Sequence, residues 1–138
     1  VGHWNRAYGR RGFYQYQFVV PPDAADAVRD VLGRLAAARA GSFLSVLKTF
    51  GALPSPGMLS FPRPGLTLAL DLPNRGPETA RLLRSCDEVV REAGGAVYPA
   101  KDACMTPASF RAFFPGWEAF AAHVDPAFSS SFWRRVTA

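Results

Sequence analysis

The sequence predicts an α+β domain of the ferredoxin-like class, with a four-stranded antiparallel sheet in βαββαβ order and both helices on one face. Alternating strand patterns at Gly12 to Val20 and at Leu66 to Leu72 are the first observation. An amphipathic stretch of helical spacing follows each of these strands, and glycines and prolines separate the segments. At 138 residues and 49% hydrophobic content, the chain is expected to form a single domain, 1–138, with its own core.

The first strand, Gly12 to Val20, has one apolar face and one face with two amides. Side chains alternate along a strand, so Gln15 and Gln17 share one side while Tyr14 and Tyr16 share the other. A buried amide without a partner costs about 1 to 3 kcal/mol. The glutamine row therefore indicates contact with water or with a polar ligand.

The first helix is predicted from Ala24 to Ala40, ended by Gly41. Asp23 is expected to cap it, with Asp26 three residues later as in a capping box. The apolar stripe at helical spacing consists of Ala24, Val28, Val31, Leu32, Leu35 and Ala36. A second strand, Ser42 to Phe50, and a proline-rich loop or lid, Gly51 to Gly65, follow.

The third strand, Leu66 to Leu72, alternates strictly between leucine and other residues. Pro77 then opens a second helix to Ala93, which Gly94-Gly95 ends. The predicted buried stripe of this helix is Leu82, Leu83, Cys86, Val89 and Val90. Ala96 to Ala100 is the fourth strand, and it is expected at a sheet edge because Pro99 cannot donate a ladder hydrogen bond.

The tail after Thr106 is predicted to contain short helical pieces at Ser109 to Phe114 and Gly116 to Ala122, then an Asp125-Pro126 turn. Its aromatic residues are expected to pack it onto the domain: Phe110, Phe113, Phe114, Trp117 and Phe120.

A polar open face is expected opposite the helices, with Gln15, Gln17, Thr67, Ala69 and Asp71. The only two lysines, Lys48 and Lys101, lie at the ends of predicted strands. An ammonium there can stabilise an anion that forms in a bound ligand. The alternative is a solvent-exposed lysine, or Lys101 paired with Asp102 or Asp71.

The net charge of +5 suits nucleic acid, an anionic lipid, a phosphorylated substrate or a plain solvated surface. Cys86, Cys104, His3 and His123 lack metal-ligand spacing, so no metal site is expected, and Cys86 is predicted to be a buried inert thiol. No leader peptide and no run of about 18 apolar residues is present, which favours a cytoplasmic location with at most peripheral membrane contact.

A stand-alone module that binds RNA or a small anionic ligand is a second hypothesis. Arg11-Gly12-Phe13 begins like an RNA-recognition signature. Tyr14 and Gln15 then depart from that signature, and its aromatics Tyr14 and Tyr16 would face the helices. RNA recognition is therefore the weaker hypothesis, and no nucleic-acid partner is expected.

Six short motifs occur together and in order along the chain. They are Trp4-Asn5-x-x-Tyr8-Gly9, Gly12-Phe13-x-Gln15-Tyr16-Gln17, SFLSVLKTFG at 42–51, LSFPRPG at 59–65, Tyr98-Pro99-Ala100-Lys101-Asp102 and Val124-Asp125-Pro126. In this combination the chain closely resembles the C-terminal half of decaprenylphosphoryl-β-D-ribose 2-oxidase-like flavoproteins, in the FAD-linked oxidase group that includes vanillyl-alcohol oxidase. The resemblance implies a substrate (cap) domain that closes over FAD held by an N-terminal domain, which these residues do not contain.

Residue by residue, the resemblance implies that Lys101 contacts both the flavin and the substrate pocket, with Tyr98 beside it. Gln17 and Lys48 resemble pocket residues, and Gln15 and Phe50 lie next to them. Ala69 stands where mycobacterial members have a reactive cysteine, and Thr67 stands where an amide is found. The segment 129–135 diverges from the acidic pattern usual in the family.

The implied reaction is oxidation of a secondary hydroxyl of a polyprenyl-phosphate-linked ribose to a ketone, by hydride transfer to FAD. The expected partners are the N-terminal FAD-binding domain, the lipid-linked sugar and a reductase or epimerase partner. Exposed apolar surface on a domain of this kind also favours self-association. The chain starts without Met, as a fragment would, and by itself it is expected to be inactive.

Overall fold

The computed structural model describes residues 2–3, 6 and 9–138, so three residues of the first motif, Trp4, Asn5 and Tyr8, lie outside the described residues. One sheet contains β1 (Phe13–Val20), β2 (Ser45–Phe50), β3 (Gly65–Pro73) and β4 (Ala96–Val97). The helices are α1 (Ala25–Ala37), α2 (Pro77–Glu92), α3 (Pro107–Phe113), α4 (Trp117–Ala121) and α5 (Ser131–Thr137), with a 3-10 turn at Pro99–Lys101.

The strands are antiparallel in the order β2-β3-β1-β4, and the predicted ferredoxin-like class is confirmed. Strict alternation places the β3 leucines toward the helices, where Leu68, Leu70 and Leu72 are buried. α1 and α2 lie against each other over this face, and Arg34 Nη1 donates to the Ser85 carbonyl at 3.2 Å between them. The sheet register therefore decides which residues remain on the opposite face.

The prediction that Asp23 caps the start of α1 is wrong. Ala24, not Asp23, is the N-cap, and no side chain caps the helix. The backbone first turns, with Ala24 N donating to the Pro21 carbonyl at 3.0 Å, so the helix begins too late for the Asp23 carboxylate to reach its amides. Asp26 forms an ion pair with Arg29 instead of completing a capping box.

Two members of the predicted α1 stripe are exposed, and a third, Ala24, is half-buried. Leu32 is 45% exposed and Ala36 is exposed as well. A depression of about 180 Å³ separates α1 from the start of β2, and both residues line it. Helical spacing indicated the correct side of α1, but the depression at the start of β2 leaves Leu32 and Ala36 uncovered.

The second and fourth strands are shorter than predicted. β2 begins at Ser45, three residues after the expected start, and β4 ends at Val97. The chain then enters the 3-10 turn because Pro99 has no amide proton with which to continue the ladder. The predicted edge position of this strand is confirmed, since it pairs with β1 alone.

Gly95 fits closely against β1 where β4 begins. A Cβ atom at this position would lie 2.3 Å from the Val19 carbonyl oxygen and 2.9 Å from a methyl group of Val90. Only glycine therefore allows α2 to return the chain to the sheet so tightly.

The C-terminal tail packs through aromatic rings, as predicted, but it contains a third helix that the sequence reading missed. The centroid of the Phe110 ring lies 5.7 Å from that of Phe132 and 6.1 Å from that of Trp133, both on α5. The predicted turn at Asp125 is present, with Asp125 Oδ1 accepting from the Ala127 amide at 2.8 Å. α5 lacks a long apolar periodicity, and Ser130 caps it by accepting from Trp133 N at 3.0 Å.

A carboxylate of α2 is buried in the helix-side core. The Tyr16 hydroxyl donates to Asp87 Oδ1 at 2.9 Å, and Asp87 is 2% exposed. Asp87 Oδ2 has no hydrogen-bond partner in the described part of the chain. Burial raises the pKa of Asp87 to about 7, and burial also raises the pKa values of the Cys86 and Cys104 thiols to about 12. The expected burial of Cys86 is confirmed.

In the described residues, no helix is both long enough and apolar enough to cross a membrane. Within the same ranges, no group of three or more His, Cys, Asp or Glu side chains comes together as a metal site would require.

Candidate functional site

The polar row predicted on the open face forms a hydrogen-bonded network across β1 and β3. Gln17 Nε2 donates to Thr67 Oγ1 at 3.1 Å, and Gln15 Nε2 donates to Asp71 Oδ1 at 3.2 Å. Gln17, Thr67 and Asp71 are buried, so the face is more covered than its polarity suggested. Each glutamine amide therefore has a hydrogen-bond partner within the chain. These hydrogen bonds offset most of the free-energy cost of burying the amides.

Lys101 joins this network from the turn that follows the edge strand β4. Tyr98 N donates to the Gln17 carbonyl at 2.8 Å, and the 3-10 turn then brings Lys101 Nζ to donate to Gln17 Oε1 at 2.9 Å. One amide side chain thus links a buried hydroxyl and an ammonium. The side-chain oxygen of Gln17, Oε1, positions the ammonium of Lys101 but does not neutralise its charge.

The carboxylates considered as partners of Lys101 do not form an ion pair with it in the described structure. Asp102 Oδ1 accepts from the amides of Cys104 and Met105, and its other oxygen forms an ion pair with Arg135. The interpretation of Lys101 as paired with Asp102 is therefore wrong. Its ammonium remains directed toward Gln17 and the open face.

A pocket of about 120 Å³ lies on this face and brings together five of the predicted site residues. They are Gln15, Gln17, Lys48, Ala69 and Lys101, and Leu44, Val46, Leu70 and Asp71 complete the lining. Lys48 reaches the pocket because β2 pairs with β3 so that Lys48 lies opposite Thr67. A second depression, of about 320 Å³, shares Gln15 and Lys101 with the first. Lys101 therefore lies at the boundary between two adjoining spaces.

Phe50 and Tyr98, the other two predicted site residues, lie beside the pocket rather than in its lining. Phe61, from the proline-rich loop, stacks on Tyr98 with ring centroids 4.8 Å apart and meets the Phe50 ring edge-on at 5.9 Å. Phe61 is only 4% exposed and covers this end of the sheet. The sequence reading missed Phe61, although a single aromatic residue among prolines in LSFPRPG was a usable signal.

The pocket is too small to enclose a ligand by itself. Pockets that enclose a small ligand usually measure about 300 to 1,000 Å³, and this one is smaller and open on one side. Two ammonium groups and one carboxylate line it, so its charge favours a ligand that is anionic or becomes anionic during reaction. Tyr16, in contrast, is 2% exposed on the helix side and is not available to stack on a nucleic-acid base.

The coupling between Gln17 and Thr67 can be measured. Gln17→Leu is expected to lower the free energy of unfolding by about 2 kcal/mol, because the Thr67 hydroxyl and the Lys101 ammonium each lose a partner. Thr67→Val should cost about 1 kcal/mol alone and little more in the Gln17→Leu background. Urea unfolding of the two single variants and the double variant measures this. Strictly additive losses would contradict the network.

The fold and the site define a class: a ferredoxin-like domain with a polar sheet face that bears two lysines. In sequence, the chain is 38% identical to the decaprenylphosphoryl-beta-D-ribose oxidase of Mycolicibacterium smegmatis over 140 residues, which cover 98% of the chain and 30% of that oxidase. The resemblance predicted from the motifs is thereby confirmed.

A second relative has no function in its name. The chain is 37% identical over 136 residues to an uncharacterized protein in the mprA 5' region of Streptomyces coelicolor, which covers 94% of the chain and 37% of that protein. No family model matches the chain. The chain spans about a third of the length of these two curated relatives.

Proposed function

We propose that this chain is the substrate-binding (cap) part of an FAD-dependent oxidoreductase that oxidises a secondary hydroxyl of a polyprenylphosphoryl sugar, with ribose as the sugar. The similarity to a decaprenylphosphoryl-ribose oxidase supports the reaction class. The observation that carries the proposal is the Lys101 ammonium, held at 2.9 Å by Gln17 at the border of an open pocket.

The residues of the open face fit one side of a flavin site. Lys101 would contact the ring system, since it adjoins both depressions, and Tyr98, which directly follows β4, would lie beside it. FAD would supply the hydride acceptor. The sequence has no glycine-rich cradle for a pyrophosphate, so the cofactor's phosphates are assigned to the N-terminal domain of the full-length protein.

The side chains of this chain have three tasks in the proposed reaction. Lys101 would offset the negative charge that the flavin gains when it accepts the hydride, and Gln17 fixes the position of its ammonium. Lys48, Gln15 and Gln17 orient the sugar by hydrogen bonds to its hydroxyls. Ala69 leaves room between them and offers no nucleophile.

The substrate and the partners follow from the same proposal. Two lysines and one aspartate give the pocket a net positive charge, which favours a substrate that is negatively charged overall. The ketone formed by the oxidation would be consumed by a reductase, so a reductase or epimerase partner is part of the proposal. A lipid-linked substrate would bring the protein to a membrane surface only peripherally.

Separate expression of the chain and of the longer protein tests this proposal. The 138-residue chain should be colourless and inactive, whereas the longer protein should be yellow and should lose its flavin absorbance when a polyprenylphosphoryl ribose is added. A matched control is the same substrate without the sugar, which should leave the absorbance unchanged. Stoichiometric flavin binding by the short chain, or selective RNA binding by it, would contradict the proposal.

A further inference from the structure

The C-terminal tail and the proline-rich loop enclose a groove that is separate from the polar pocket. Its volume is about 650 Å³, and it shares no lining residue with the pocket of about 120 Å³. Seven of its nine lining residues are apolar, and four of these are aromatic: Phe120, Phe128, Phe132 and Trp133. Phe128 is 78% exposed, so its ring is largely accessible at the edge of the groove.

The rim of this groove, which we call the tail groove, has a positive charge. Ser129 and Ser130 complete its lining, and Arg134 Nη1 donates to the Ser129 carbonyl at 3.2 Å and to its hydroxyl at 3.3 Å. No Asp or Glu is among the lining residues. A guanidinium has five N–H donors, so these two contacts leave Arg134 able to bind an anion. The groove thus matches a molecule with a long apolar body and an anionic end.

The loop that forms one wall of the tail groove also reaches the open face of the sheet. Leu59 lines the groove, and Phe61, two residues later, stacks on Tyr98 beside the polar pocket. Arg63 fixes the loop by donating to the Phe113 carbonyl at 3.1 Å. One short loop segment therefore contacts both the tail groove, through Leu59, and the residues beside the polar pocket, through Phe61.

We propose that the tail groove binds the isoprenoid chain of a polyprenyl phosphate, with Arg134 contacting its phosphate. The choice of a polyprenyl phosphate rests on the function proposed above, whereas the groove and its charge stand on their own. The aromatic and branched side chains match a branched hydrocarbon in shape and polarity. The 138-residue chain therefore contains a lipid subsite in addition to the sugar pocket.

Equilibrium dialysis of the 138-residue chain against radiolabelled farnesyl phosphate, below its aggregation concentration, tests the proposal. We expect saturable binding at one site per chain and about tenfold weaker binding by Phe128→Gln. Phe128 is mostly exposed, so this variant should fold normally. Leu53→Gln is the matched control, since Leu53 is 89% exposed on the proline-rich loop that also carries Leu59, but Leu53 does not line the groove.

The phosphate contact has its own test. Arg134→Gln should weaken binding of farnesyl phosphate about fivefold and leave binding of farnesol unchanged. Equal binding by Phe128→Gln and Leu53→Gln, absence of saturable binding, or a dimer that Phe128→Gln dissociates would overturn the proposal. Binding requires neither flavin nor turnover. If the chain binds farnesyl phosphate but the longer protein oxidises no polyprenylphosphoryl ribose, the proposed function is wrong and the lipid subsite remains.

Discussion

Lys101→Met in the flavin-containing protein should slow reduction of the flavin by substrate by about 100-fold or more. Removing a preorganised charge-stabilising donor typically costs about 10² to 10³ in rate. Met keeps the length and the apolar stem of lysine but removes the ammonium that Gln17 holds at 2.9 Å. Stopped-flow measurement of flavin absorbance in single turnover separates this step from substrate binding.

The controls separate loss of charge from loss of structure. Lys101→Arg should recover part of the rate, because it restores a cation of different shape. Arg81→Ala removes an exposed cation of α2, away from the pocket, and should reduce flavin at the unaltered rate. Reduction of Lys101→Met at wild-type speed would rule out a catalytic role for this lysine. Lys101→Met should lower the free energy of unfolding by about 1 kcal/mol, because the buried Gln17 Oε1 loses a donor, whereas Arg81→Ala should unfold like the wild type.

Asp87→Asn should stabilise the 138-residue chain by about 4 kcal/mol at pH 8 and have little effect near pH 4. Burial raises the pKa of Asp87 from 3.8 to about 7 in the folded chain. The folded state therefore holds the proton more tightly than the unfolded state. The stability contributed by the protonated carboxyl is complete below about pH 4 and is lost as the pH rises toward 7.

The surroundings of Asp87 support this direction. The Tyr16 hydroxyl and the charges of Arg84 and Arg91 favour the carboxylate, but burial outweighs them, and Asp102 raises the pKa further. An asparagine still offers Oδ1 to the Tyr16 hydroxyl, so the packing of the core is retained. Urea unfolding between pH 4 and pH 8 provides the measurement. Asp23→Asn, at an exposed position, is the control. The expectation would be contradicted if the difference in the free energy of unfolding between Asp87→Asn and wild type were the same at pH 4 and at pH 8.

Much of the fold is predictable because its signals are local. The alternating residues of β1 and β3, the helical spacing of α1 and α2, and the edge position of the strand before Pro99 all follow from a few neighbouring residues. The errors arise where a local pattern competes with the surroundings. Asp23 looks like a cap, but the turn at Pro21 moves the helix start, and Leu32 lies on the apolar stripe but beyond the sheet that would cover it.

The candidate site was predictable in its members but not in its contacts. Strand alternation placed Gln15 and Gln17 on one face, and the motif around Lys101 indicated a family of oxidases. Gln17 contacts Thr67, 50 positions further along the chain, and Lys101, 84 positions further along. Only the strand register and the 3-10 turn bring these three groups together.

The sequence by itself determined the order of the strands and helices, the polar row of β1 and the resemblance to decaprenylphosphoryl-ribose oxidases, because each is written in neighbouring residues or in short motifs. The tertiary structure decided that the amides are partnered within the sheet, that Phe61 covers one end of it, and that Asp87 is buried against Tyr16. Each of these contacts joins distant segments, and its energy depends on burial and geometry that arise only when the sheet and helices pack.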